Sequence, residues 1–134
     1  MVEFKLVIGD PKTGKCHQRV VKDDEAKPFL GKIIGDKVKG DGAGLAGYEF
    51  EITGGSDYCG FPMRKDTIGT GRKKVLSTRG FGIKTVNKGT RVRKTFAGNT
   101  IHAQTSQINL KILTYGKAKL EGDAEGKPEE AKKA

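Results

Sequence analysis

Residues 9–16 read GDPKTGKC. They follow an alternating apolar run and come within one residue of the phosphate-loop pattern G-x-x-x-x-G-K-[ST]. In that motif backbone amides cradle phosphates, the lysine reaches the outer phosphates and the hydroxyl binds magnesium. Cys16 stands where the hydroxyl is needed, and a thiol is a poor ligand for a hard cation. The next residues, HQRVV, pattern as a strand and not as the helix the motif requires. The segment therefore reads as a hairpin turn, with a nucleotide-binding protein as the rival reading. Cys16, His17, Cys59 and His102 carry metal-ligating atoms, but none shows C-x-x-C or H-x-x-x-H spacing. The adjacent Cys16 and His17 would point to opposite faces of a strand. No nucleophile is placed beside a base. The expectation is a protein with no catalytic residues, no metal, no cofactor and no small-molecule substrate.

The distinctive chemistry is charge. Residues 64–94 hold eleven Lys or Arg and a single acid, Asp66, so this stretch alone carries the +10 formal charge of the whole 134-residue chain. A surface of one sign gathered in one segment points to a polyanionic partner. The isoelectric point near 9.7 lies above the value of about 9 that marks many nucleic-acid binders. Arg64, Lys65, Arg72, Lys73, Lys74, Arg79, Lys84, Lys88, Arg91, Arg93 and Lys94 are the expected phosphate contacts, with Phe81 and Phe61 as aromatic faces for base stacking. A stretch without a recognition helix suits folded RNA better than a DNA major groove. A membrane surface is the other polyanion, but no basic amphipathic helix is present to lie on it.

These residues must be held by a scaffold, and the pattern of the chain is that of short strands. Val2, Phe4, Leu6 and Ile8 alternate with Glu3 and Lys5, which predicts a strand over 2–8 with one apolar face. The turn residues DPKTG and a weaker alternation over 15–22 make an opening hairpin. Acids at 23–25 ahead of Ala26, Phe29 and Leu30 predict one short helix, tolerant of Pro28 in its first turn. Residues 39–47 read as a glycine-rich loop. A strand over 48–52 is expected to break at Gly54-Gly55-Ser56-Asp57, and residues 58–65 to form an ordered loop. Further strands are expected over 74–77, 81–86, 91–96, 100–103 and 108–113. From 117 onward the chain is charged and poor in large apolar residues, so residues 117–134 are expected to form a disordered tail. Twenty glycines and little helix predict a small, mainly antiparallel β domain over 1–116, a partly closed barrel.

The first residues do not form a signal peptide and no run approaches the length of a membrane span, so a cytoplasmic protein with two reduced thiols is expected.

Gly54-Gly55-Ser56-Asp57, then Gly60-Phe61-Pro62-Met63 and a basic residue, then Gly71-Arg72, resembles the central signature of ribosomal protein S-six of the archaeal and eukaryotic type. The similarity runs on through Leu76-Ser77-Thr78-Arg79-Gly80, the basic run over 89–94, Gly98, and Ser106-Gln107-Ile108-Asn109-Leu110. The resemblance implies a structural component of the small ribosomal subunit. It implies contact with small-subunit ribosomal RNA and neighbouring ribosomal proteins, and no catalysis. It also implies loop-shaping roles for Gly54, Gly55, Asp57, Gly60, Phe61, Pro62, Met63, Gly71 and Gly80. Eukaryotic members continue into a long basic extension, whereas here a short mixed-charge tail follows, so the resemblance is to a short archaeal member. A free RNA-binding β module that regulates translation is the alternative. Reversing Arg72, Lys73 and Lys74 to Glu is expected to abolish assembly while leaving the fold intact.

Overall fold

In the computed structural model the described residues are 2–78, 80, 83–84, 87 and 89–117. Among these residues seven strands lie in two sheets. The larger has the order β2-β1-β7-β4-β3, built from β1 (Glu3–Gly9), β2 (Cys16–Lys22), β3 (Lys37–Lys39), β4 (Glu49–Asp57) and β7 (Thr105–Thr114). The smaller is a ribbon of β5 (Lys73–Ser77) and β6 (Val92–Phe96). The fold is mainly β, and the five-stranded sheet curls into a half-barrel.

Period-2 alternation fills the concave side. Phe4, Leu6 and Ile8 of β1, Phe50 and Ile52 of β4, and Ile108, Leu110 and Ile112 of β7 are all buried in one cluster. Phe29, Leu45 and Ile101 from the connecting segments join that cluster. β1 and β2 form the expected hairpin, Phe4 facing Val21. β7 lies at the centre of the sheet, antiparallel to β4 on one side and parallel to β1 on the other. Among the described strand ladders the parallel pair is the one departure from antiparallel pairing. Apolar alternation fixes which face of a strand is buried but not its direction.

The short helix is realised as a single 3-10 turn, Lys27–Phe29, with Pro28 at its start and Phe29 buried. A second 3-10 turn, Gly40–Ala43, lies within the stretch expected to be loop, and the three-residue β3 ends at its first residue, Lys39. Residues 100–103 contribute only one isolated bridge, Thr100 to Ile33, in place of a strand. Of the strand expected over 81–86, the described part is a bridge between Gly80 and Ile83. The 118–134 part of the expected tail lies outside the described residues.

The expected break at Gly54-Gly55-Ser56-Asp57 is corrected. β4 runs through all four residues, with register shifts at Glu49/Phe50, Ile52/Gly54 and Ser56/Asp57. Extra residues of this kind bend a strand and raise its twist. Thr53 is the residue skipped between paired Ile52 and Gly54, and its hydroxyl donates to the Asn109 carbonyl at 3.2 Å. Gly55 is needed for close approach: a Cβ there would be driven into the Gln107 carbonyl oxygen, with the Met63 sulfur at 3.2 Å. At Gly54 a Cβ would meet nothing within 4 Å. Gly55→Ala is therefore expected to cost about 2–3 kcal/mol of stability through overpacking against backbone. Gly54→Ala should stay within about 0.5 kcal/mol of the parent, as an unhindered substitution does. Urea unfolding of the two variants side by side checks this, and equal losses would contradict it.

Candidate nucleic-acid interface

The β5–β6 ribbon shares no ladder with the larger sheet. In its antiparallel register Lys73 faces Phe96, Lys74 faces Thr95, Val75 faces Lys94 and Leu76 faces Arg93. Opposed residues share a face, so Lys73 and Lys94 lie on one side of the ribbon and Lys74 and Arg93 on the other. All four are exposed. No cation stands directly across from another, which is where like charge is most destabilising. The ribbon thus concentrates positive charge on both faces at little cost to its own pairing. From Thr67 to Leu120 the sequence contains no acidic residue to offset it. Lys65, Lys84 and Arg91 are likewise exposed.

At the root of the ribbon Phe96 is buried and Arg64 lies over its ring, 5.2 Å from the centroid. Arg64 donates from Nη1 to the Ser77 hydroxyl at 3.3 Å, and its Nη2 sits 3.3 Å from Asp66. Its Nε is buried without a hydrogen-bond partner among the described residues. Around it lies a cleft of about 550 Å³ lined by Lys65, Leu76, Thr78 and Arg91, with Asp66 as its one acid. An anion entering here would meet guanidinium, ammonium and hydroxyl donors together.

Arg72 is placed differently. Its Nε donates to Asp57 Oδ2 at 2.6 Å, and its guanidinium lies 4.9 Å from the Tyr58 ring centroid and 5.1 Å from that of Phe61. Asp57 is buried, and its Oδ1 accepts from the Cys59 and Phe61 amides at 3.0 Å each. Burial pushes the Asp57 carboxyl up, but the Arg72 hydrogen bond and the two amides outweigh it and hold the group below its usual value. The same bond, followed by the Tyr58 hydroxyl, raises Arg72 further above its ordinary range. Arg72 thus closes the 57–61 loop, whereas Lys73 and Lys74 are free to meet a ligand. The expectation that all three could be reversed without harm to the fold does not fit this geometry, because Arg72 neutralises a buried carboxylate.

The loop residues of the signature join the two sheets. Gly60 has φ 87, a left-handed conformation that favours glycine. The Pro62 carbonyl accepts from Ala97, the buried Met63 donates to the Gly55 carbonyl, and Arg64 donates to the Ala97 carbonyl. Gly71 and Gly80 face open space and have no left-handed φ. Gly98, which the resemblance includes without a role, also shapes this region: a Cβ on it would strike the carbonyl of Gly69, which has φ 102. Arg79, Phe81 and Lys88 lie outside the described residues.

The phosphate-loop lookalike is a hairpin turn. The Asp10 carboxylate takes up the Lys12 amide and the Thr13 hydroxyl, and it also accepts from the Tyr115 hydroxyl. The turn therefore presents its own acid where a phosphate would have to sit, and strand β2 follows in place of a helix. Among the described residues no three His, Cys, Asp or Glu side chains are grouped to hold a metal ion. No helix among them is long and apolar enough to cross a membrane.

The profile of the family described as Ribosomal protein S6e matches residues 4–125. The chain belongs to the ribosomal protein S6e family. The small ribosomal subunit protein eS6 of Methanococcus maripaludis is 44% identical over 122 residues, covering 91% of this chain and 96% of that relative. Those of Archaeoglobus fulgidus, 44% identical over 121 residues (90% and 94% covered), and Halorubrum lacusprofundi, 43% identical over 128 residues (93% and 95% covered), match comparably. All three are archaeal, so this S6e chain is of the archaeal type. The S6e match takes in both sheets, the ribbon and the 57–64 loop that joins them.

Proposed function

We propose that this protein is a structural constituent of the small ribosomal subunit, acting in translation by holding small-subunit ribosomal RNA. The contact surface is the β5–β6 ribbon together with the Arg64 cleft at its root, within residues 64–94. The observation that carries this reading is a ribbon with exposed cations on both faces and no acid. Such a surface releases counterions when it neutralises phosphates, and it can be gripped between two RNA segments. A β surface without a recognition helix reads backbone shape, as proteins that bind folded RNA do. The domain comprises residues 1–116, works in the cytoplasm beside neighbouring ribosomal proteins, and has no catalytic step, membrane or small-molecule substrate.

In-cell ultraviolet crosslinking, with the attached RNA sequenced and mapped to peptides, tests this. The expected result is one defined region of small-subunit ribosomal RNA joined through peptides within 64–94. Crosslinks scattered over unrelated RNAs would favour a free RNA-binding module that regulates translation. Their absence from this segment would overturn the ribbon as the contact.

A further inference from the structure

Tyr58 is the only exposed aromatic side chain among the described residues, with 61% of its surface open. An aromatic ring so exposed costs hydrophobic free energy, and its surroundings are built rather than loose. Its amide donates to the Gln104 carbonyl at 3.0 Å. The preceding residue, Asp57, is buried and accepts three hydrogen bonds. Arg72, locked onto that carboxylate, lies over the ring at 4.9 Å. One face of Tyr58 is therefore backed by a fixed guanidinium, and the remainder looks outward. Two grooves meet at the ring. One, of about 260 Å³, runs past Arg72, His102 and Gln104. The other, of about 350 Å³, runs past Gln104 and Ser106 and has Glu3 in its wall.

We infer that Tyr58 is a stacking platform for one unpaired base of the ribosomal RNA, a contact outside the basic segment. This rests on the reading that the protein binds that RNA. A base laid on the open side of the ring extends a stack already begun by the guanidinium. Gln104 and His102 stand beside it with donors and acceptors for the base edge. Because ring, guanidinium and carboxylate are ordered before binding, little conformational freedom is lost when the base arrives. The platform is sequence-tolerant, since every base has a π-face.

The test uses the full chain and small-subunit ribosomal RNA transcribed from the same organism, with affinity measured across a salt series. Tyr58→Ala is expected to weaken binding roughly ten- to hundredfold, the range that loss of a base–aromatic stack produces. The slope of log affinity against log salt should stay unchanged, because no phosphate contact is lost. Tyr58→Phe should remain within about twofold of the parent, keeping the π-face. Tyr58→Leu preserves apolar bulk over Arg72 without a π-face and should bind as weakly as the Ala variant, which decides the matter if Tyr58→Ala unfolds. If the Ala and Leu variants bind like the parent while reversal of the ribbon cations weakens binding, the platform is refuted and the ribbon stands. If neither set changes binding, the RNA reading itself fails.

Discussion

Reversing Lys73, Lys74, Arg93 and Lys94 to Glu together is expected to lower affinity for small-subunit ribosomal RNA on the order of a thousandfold at physiological salt. All four side chains are exposed, and none is held by an acid among the described residues. Each contact to a phosphate contributes about 0.7–0.9 to the slope of log affinity against log salt, so the slope should fall by about 3. The fold should survive, because each residue faces an uncharged partner across the ribbon and would still do so as glutamate. Net charge falls from +10 to +2, four reversals each removing two charges. A control separates local from global charge. Lys37 and Lys39 are exposed on edge strand β3, and reversing both removes four charges without touching the ribbon. That control should leave the slope within about 1 of the parent. A filter-binding salt series on the three proteins is decisive. A slope that tracks total charge whatever the location would sink the assignment of the ribbon.

Arg72→Ala is expected to act on the fold. It leaves the buried Asp57 carboxylate with only the Cys59 and Phe61 amides as partners, which lowers stability. The Arg72 side chain is one-third exposed, so water replaces part of the lost bond and moderates the loss. Arg72→Lys should recover only part of it, since a lysine has no planar group to lie against Tyr58 and Phe61. In the double variant Asp57→Asn/Arg72→Ala the second change should cost much less than it does alone, as for residues in one network. The effect of acid has a definite sign. The folded Asp57 sits below its usual value, so its contribution is fully present above the unfolded pKa of about 4 and is lost as pH falls through the folded one. Without Arg72, burial is the largest influence on Asp57 and pushes it up. The Arg72→Ala variant should therefore lose less stability on acidification than the parent. Urea midpoints at neutral and acidic pH measure both effects, and identical acid sensitivity would remove Arg72 as the cause.

The strands with strict alternation, β1, β4 and β7, were legible because half-buried strands impose period 2, and Phe4, Leu6, Ile8, Ile108, Leu110 and Ile112 report it directly. β3 escaped notice because a three-residue strand, with only Val38 buried, has no period to read. Gly54-Gly55 looked like punctuation. Inside β4 the same residues answer a steric demand from Gln107, 52 positions after Gly55, which no local window contains. The charge of residues 64–94 was plain in the sequence. Its division between free cations and the structural Arg72 was not, because Asp57 lies fifteen residues away. Tyr58 carries no pattern at all; its exposure and the guanidinium behind it exist only in three dimensions.

The parallel pairing of β1 with β7 has a consequence for the order of events during synthesis. A ribosome making this chain releases β1 first and β7 almost 100 residues later. Until β7 emerges, β1 has only β2 beside it, and its other edge and its Phe4, Leu6 and Ile8 side chains have no permanent cover. β4, released later, likewise has only the short β3 beside it until β7 emerges. Closure of so distant a loop is entropically slow and leaves strand edges open to other chains. The nascent domain therefore gains its core in one late step. The cationic segment, made before that step, is already outside while the hydrophobic half of the protein waits for its last strand.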